Sequence, residues 1–251
     1  MGGAIARGLA SGKNFKQEDI AVADPNVSIL DKIKSEFPDV NVAVSNSDVV
    51  PQADIVVVAV KPWLVGKVFD QILPYLDFKR QIIFSIAAGI TFEDITELIG
   101  TDSAKLVRVI PNTAIMIGES MTILSAKNLS SDECEMVKGI FDQLGQSVFV
   151  EERLMGAATS LCSCGIAFAF RYIKAATDGG VEMGLYPEQA VRMIQQTVKG
   201  AVRLLEENHS MPDEEIYKVT TPGGITIKGL NEMEAYGFTN AVIKGLKASN
   251  K

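Results

Sequence analysis

Histidine occurs once in these 251 residues, at His209, and cysteine three times, at Cys134, Cys162 and Cys164. Zinc sites draw three or four ligands largely from such side chains, so their scarcity argues against a metal centre. The Cys162-Ser163-Cys164 pair has no second pair and no neighbouring histidine to complete a shell. An odd cysteine count also argues against a disulfide framework. His209 sits in the polar stretch 206–215, where a solvated loop residue is a simpler reading than a general base. Runs of lysine or arginine are missing, and the net charge is −7 with a pI of about 4.9, so neither nucleic acid nor an acidic membrane surface is an expected partner. No uncharged stretch reaches 18 residues and no signal-peptide pattern is present; the expectation is a cytoplasmic protein with no membrane partner. Asn26-Val27-Ser28, Asn128-Leu129-Ser130 and Asn208-His209-Ser210 match the glycosylation triplet, which means little without a secretory context.

Hydrophobic residues, by contrast, make up 47% of the chain, enough for a sizeable core in one large domain or two small ones. Residues 1–9 read as a helix with small residues on a sheet-facing side, and no strand precedes it. A short apolar strand over 20–23 then ends in Asp24, about twenty residues after Gly2, the spacing at which dinucleotide folds place a ribose-binding acid. An acid at a strand end also caps helices, and spacing leaves both readings open.

Helices are predicted over 27–37, 65–73, 92–99 and 132–144, and strands over 42–44, 82–86, 106–110, 121–125 and 147–150. The unbroken apolar run 55–60 has the pattern of a parallel strand buried on both faces. Several strands end in small or polar clusters: Asn46 after the second, Lys61-Pro62-Trp63 after the third, Ala87-Ala88-Gly89 and Pro111-Asn112-Thr113 after the next two. The alternation predicts an α/β fold with a doubly wound, Rossmann-type sheet in a dinucleotide-binding domain, residues 1–150, whose ligands meet the strand carboxyl ends. After Glu151 the strands stop. A single long apolar helix is expected over 154–178, then helices over 186–208, 213–219 and after Thr226. So much apolar helix surface cannot be buried within the tail itself, and residues 151–251 are expected to form an all-helical substrate and dimerisation domain.

Chemistry is best placed at Val219-Thr220-Thr221-Pro222-Gly223-Gly224-Ile225-Thr226-Ile227-Lys228-Gly229-Leu230. Pro222 fits just before or at a helix start, Gly223 and Gly224 let backbone approach a ligand with no Cβ in the way, and Thr221 and Thr226 bring hydroxyls. Apolar residues at helical spacing over 227–236 would aim free backbone N–H groups at a carboxylate or phosphate. An ordinary glycine-rich turn capping a helix has the same composition.

With this stretch go Met1-Gly2-Gly3-Ala4-Ile5, Ala59-Val60-Lys61-Pro62, Ser85-Ile86-Ala87-Ala88-Gly89-Ile90-Thr91, Arg108-Val109-Ile110-Pro111-Asn112-Thr113, and Asp178-Gly179-Gly180-Val181 followed by Met183-Gly184-Leu185. In that order and spacing the chain resembles the pyrroline-5-carboxylate reductases over its whole length. The resemblance implies an oxidoreductase that reduces the ring imine of 1-pyrroline-5-carboxylate to L-proline with NADH or NADPH, the last step of proline synthesis. It places the dinucleotide against Gly2, Asn46, Val60, Lys61, Pro62 and Ala88, with Asp24 at the adenosine ribose. The substrate falls to Glu207, Thr221, Gly223, Gly224, Ile225 and Thr226. It further implies a homodimer, or an oligomer of dimers, whose interleaved helical domains share the site. Hydride transfer to a ketone usually needs a lysine, histidine or metal to polarise the oxygen, and the strand ends offer only Lys61. A protonated imine carries its own positive charge, so the protein need only align the ligands and hold the carboxylate. Thr226 is the catalytic candidate, bonding either the ring nitrogen or the carboxylate.

Three departures stand out. The family's first strand and the first two glycines of G-x-G-x-x-G would lie before Met1, leaving only Gly2. A downstream start or a shortened chain accounts for this better than a natural form, and a gap or substituted strand in the sheet and weakened dinucleotide affinity are expected. Residues 162–168 replace the family's more usual Ser-Gly-Ser-Gly-Pro-Ala-Tyr, small for small but with hydroxyls lost. A carboxylate at Asp24 accepts from a free ribose hydroxyl and repels a 2′-phosphate, so NADH is the expected preference. Two other readings compete. The β-hydroxyacid dehydrogenases share the plan but place a catalytic lysine in the first interdomain helix, and 154–170 contains none. The other is a catalytically weak, dinucleotide-binding or sensing dimer.

Overall fold

The computed structural model describes residues 1–12 and 14–250. They form two compact units, Met1–Ser163 and Cys164–Lys251.

In the first unit, helix α1 (Gly2–Ser11) is followed by strand β1 (Ala21–Ala23), helix α2 (Val27–Glu36) and strand β2 (Asn41–Ala43). Next come β3 (Ile55–Val58), α3 (Val65–Ile72), β4 (Ile82–Ser85), α4 (Phe92–Ile99) and β5 (Lys105–Ile110). Strand β6 (Ser120–Lys127), helix α5 (Ser131–Phe141) and strand β7 (Gly145–Phe149) complete the sheet. The expected break is present: β1 and β2 pair in parallel as a separate sheet, and the other five run in the order β3-β4-β5-β6-β7. Helix α1 serves both sheets, with Ile5 in the core against β4 and β5 and Ala10 in the cluster of Ile33 and Val40 beside β1 and β2.

Period-two alternation builds the core on the two faces of the five-stranded sheet. Ile82 and Phe84 of β4 meet α5 through Phe141, with the two phenyl centroids 5.8 Å apart, while Ile83 points the other way, towards Phe69 of α3 and Ile95 of α4. One expectation needs correction. The run at β3 is not buried on both faces, because β3 is an edge strand and Val57 stays 39% exposed. Within the sheet β6 runs antiparallel to β5, since the two are joined only by the loop carrying the 3₁₀ turn Thr113–Ile117, shorter than the dozen or so residues a crossover needs.

Beyond β7 the single long helix expected over 154–178 is interrupted. Helix α6 (Met155–Ala158) passes into a π-helical turn, Thr159–Cys164, before α7 (Gly165–Glu182). Asn112, buried at the end of β5, donates from Nδ2 to the carbonyl of Cys162 at 3.2 Å, taking up an acceptor within that turn.

The second unit continues with α8 (Pro187–Asn208), α9 (Pro212–Lys218), α10 (Ile225–Ala235) and α11 (Phe238–Ser249). Helices α7 and α8 approach closely at Gly180 and Ala190, where a Cβ on Gly180 would lie 3.1 Å from Ala190 Cβ, and Tyr172 meets Phe238 edge to face at 6.4 Å. Among the described residues of this unit only Gly180 and Ala190 are buried. The helical segment Glu152–Glu182 is, by length and composition, long and apolar enough to cross a bilayer, and only 11% of its most apolar stretch is buried within the chain.

Candidate active site

All the expected cofactor contacts lie in the first unit, and all but Gly2 stand just past the carboxyl ends of parallel strands. Asp24 follows β1 and Asn46 follows β2, while Val60, Lys61 and Pro62 follow β3 and Ala88 follows β4. Gly2 opens α1, whose amino end abuts β3 so closely that a Cβ at Gly2 would sit 2.7 Å from Ala59 Cβ. A Cβ-free helix start beside strand ends is a surface on which a pyrophosphate can be held by backbone N–H groups. These residues therefore fit a dinucleotide. Asp24 Oδ1 accepts from the amide of Asn26 at 2.8 Å, and Asn26 in turn caps α2 by accepting from Ser28 N at 3.1 Å. Asp24 is thus a turn-former whose second oxygen stays available. Asn46 is held by Gln71 Oε1 at 3.0 Å, and Lys61 has no ion-pair partner among the described residues. A shallow depression of about 690 Å³ runs along α4, bordered by Phe92, Glu93 and Glu152, and none of the expected residues lines it.

The expected substrate residues all lie in the second unit. Glu207 is exposed near the end of α8, and the others occupy the turn between α9 and α10. Pro222 lies just before a helix start, one of the two places expected for it. It occupies the second position of a tight turn in which Gly224 N donates to Thr221 O at 3.0 Å and Gly223 takes φ +72°, the left-handed region that favours glycine there. Helix α10 begins at Ile225, with Gly224 as its N-cap and no side chain satisfying its first amides. Those N–H groups stand at the positive end of the helix dipole without a side-chain cap, as an anion cradle requires. Neither the Thr221 nor the Thr226 hydroxyl bonds to protein among the described residues, whereas Thr177, Thr197 and Thr220 each bond the carbonyl four residues back.

Two features lay beyond residue-by-residue reading. Arg108, on β5 with its side chain only 8% exposed, pairs with Glu152 at 2.8 Å, and the same carboxylate oxygen accepts from Phe92 N, the first amide of α4, at 2.7 Å. In the second unit Glu215 gathers three donors, from the end of α8, the α8–α9 loop and α9. The only signal for either in the sequence was charge in an otherwise apolar strand or a polar loop.

Residues 152–251 match the family model described as pyrroline-5-carboxylate reductase dimerisation, and residues 1–89 match that described as NADP oxidoreductase, coenzyme F420-dependent. A pyrroline-5-carboxylate reductase of Dictyostelium discoideum is 41% identical over all of this chain, which spans 47% of that relative's length. The pyrroline-5-carboxylate reductase of Aquifex aeolicus is 36% identical over all of this chain and 92% of its own. The crystal structure of Plasmodium falciparum pyrroline carboxylate reductase with NADP bound superposes with a TM-score of 0.86 at 30% identity, covering 99% of this chain and 91% of that one. With a Rossmann-like domain followed by a helical dimerisation domain, the chain belongs to the pyrroline-5-carboxylate reductase family of NAD(P)H-dependent oxidoreductases.

Proposed function

We propose that this protein reduces 1-pyrroline-5-carboxylate to L-proline as a cytoplasmic homodimer, with residues 1–150 binding NAD(P)H and residues 151–251 binding substrate and pairing two subunits. The observation that carries the reading is the turn at 221–226, where two unbonded threonine hydroxyls flank the uncapped start of α10. The substrate has one carboxylate and one ring nitrogen. The first amides of α10 hold the carboxylate, with Thr221, Gly223, Gly224 and Ile225 shaping the cradle and Glu207 a further contact. Thr226 Oγ1 bonds the ring nitrogen or steadies the carboxylate beside it. The bound nicotinamide supplies hydride. Gly2, Asn46, Val60, Lys61, Pro62 and Ala88 hold the dinucleotide, and Asp24 takes the adenosine ribose through its second oxygen. No residue has to polarise the acceptor, since the protonated imine is already an electrophile; catalysis is alignment and exclusion of water.

Subunit pairing follows from the apolar surface that the second unit leaves uncovered, and a second copy of the chain covers it in preference to lipid. Dimers can in turn associate into larger oligomers. The test is direct: incubate the protein with pyrroline-5-carboxylate and NADH or NADPH, and follow loss of nicotinamide absorbance with formation of proline. Oxidation dependent on the imine is expected, with a lower KM for NADH than for NADPH; no oxidation with either would leave only a dinucleotide-binding dimer.

A further inference from the structure

The connection from α8 to α10 is exposed along most of its length, yet it has one internal anchor. Glu215 Oε1 accepts from Asn208 Nδ2 at 3.0 Å, from Ser210 Oγ at 2.5 Å and from Lys218 Nζ at 2.6 Å. Asn208 is the last residue of α8 and directly follows Glu207. Lys218 is the last residue of α9 and stands three residues before Thr221. The side chain of Glu215 is only 16% exposed although α9 is short and its own residues are otherwise on the surface. The backbone between these points is irregular, with His209 in the left-handed region at φ +49°, a conformation rarely adopted by residues other than glycine. Thr220 adds a local lock by donating from Oγ1 to Ile216 O at 2.7 Å.

We propose that Glu215 is a positioning residue for the substrate turn: by drawing Asn208, Ser210 and Lys218 onto one oxygen it fixes the end of α8 against the end of α9, and so sets where Thr221 to Thr226 begin. This rests on the reading that residues 221–226 hold the substrate. An isolated surface ion pair would contribute little. Three donors converging on one sheltered carboxylate, two of them spanning the loop, instead restrict the backbone that joins them. Glu215 does not touch substrate in this scheme. It removes the freedom of the turn, so that less ordering is left to be done on binding.

The test uses the full chain in four forms: wild type, Glu215→Gln, Lys218→Met and the double variant. Expected for Glu215→Gln are a KM for pyrroline-5-carboxylate raised about tenfold, as for loss of a charge-assisted hydrogen-bond hub, and a KM for NADH or NADPH changed less than about twofold. Amide hydrogen exchange over residues 220–227 should speed up, with exchange in α7 unchanged. Lys218→Met should shift the same quantities in the same direction, and the double variant should fall short of the product of the single effects because one network is being removed twice. Unchanged substrate KM together with unchanged exchange over 220–227 would overturn the proposal. So would parallel loss of cofactor affinity and melting temperature, which marks a merely structural residue. If the wild type turns over no pyrroline-5-carboxylate, the functional reading fails on its own, and the exchange rates still decide whether Glu215 orders the turn.

Discussion

Thr226 and Gly224 show how much of the site is carried by small groups. The Thr226 hydroxyl makes no hydrogen bond to protein among the described residues, so its removal leaves no buried partner unsatisfied. Thr226→Ala is therefore expected to leave the melting temperature within a degree or two while lowering kcat by about tenfold or more, as for loss of one positioned donor; unchanged kinetics would take the residue out of the reaction. A Cβ at Gly224 would lie 2.5 Å from Thr221 Oγ1 and 3.0 Å from Thr221 O. Gly224→Ala must push Thr221 aside and should raise the substrate KM with little effect on the KM for the dinucleotide. Gly223 differs, because no atom lies near its missing Cβ and the cost is the left-handed backbone alone. Gly223→Ala should cost roughly 1–2 kcal/mol in turn strain, read as a drop in urea midpoint or, if the turn relaxes instead, as a raised substrate KM.

Between elements, the Arg108–Glu152 pair joins β5, the start of α4 and the turn that leads into α6. Deleting one partner strands a buried guanidinium, so Glu152→Ala should destabilise the first unit by roughly 2–4 kcal/mol, seen in chemical denaturation, while the paired replacement Arg108→Met with Glu152→Leu should recover most of the loss. Acid acts on other links. The backbone amide and then the hydroxyl of Thr91 hold Asp94 below its ordinary range, Lys105 and then Ser130 do so for Glu133, and Lys218, Ser210 and Asn208 hold Glu215 at about 2. Folded-state values below unfolded ones stabilise the fold above the ordinary carboxylate pKa, and the stability is lost as pH falls through the lowered values. The urea midpoint should be flat above about pH 5 and fall steadily below about pH 4.5. Of these elements, α4 was legible to the residue because Thr91 and Asp94 form a capping box and Gly100 ends the helix at φ +70°. The strands were legible from their alternation and apolar runs. The π turn was not, since a helix pattern over 154–178 says nothing of Asn112, a donor some fifty residues earlier that becomes its partner only once β5 has formed. The reversal of β6 and the Glu215 anchor escaped for the same reason: each depends on how a short connection closes in space. The turn at 221–226 was read correctly as a glycine-lined approach to a helix; of the two places left open for Pro222, just before the helix or at its start, it takes the first, because proline suits both the first turn of a helix and the second position of a tight turn.

Across the whole molecule the first unit buries its apolar residues on both faces of a sheet, while the second leaves most of its own in solvent. Phe170 is 62% exposed, Met193 54%, Val202 50%, Leu204 51% and Ile243 52%, spread over three helices that bury only Gly180 and Ala190 between them. Surfaces of this kind are stable in water only when covered. A bilayer and a second subunit make opposite demands: a bilayer requires detergent for solubility, whereas a symmetric pair of chains requires only concentration. Sedimentation in plain buffer should therefore give twice the chain's 27.0 kDa, or a multiple of that, with a melting temperature that rises with protein concentration. Phe170→Glu places a charge in the proposed contact and should shift the species towards single chains, with loss of turnover in proportion, because the resemblance draws each substrate site from two subunits. A Phe170→Glu protein that sediments as a single chain and still turns over normally would show that one chain suffices for the chemistry; a wild type soluble only in detergent would assign the apolar face to lipid.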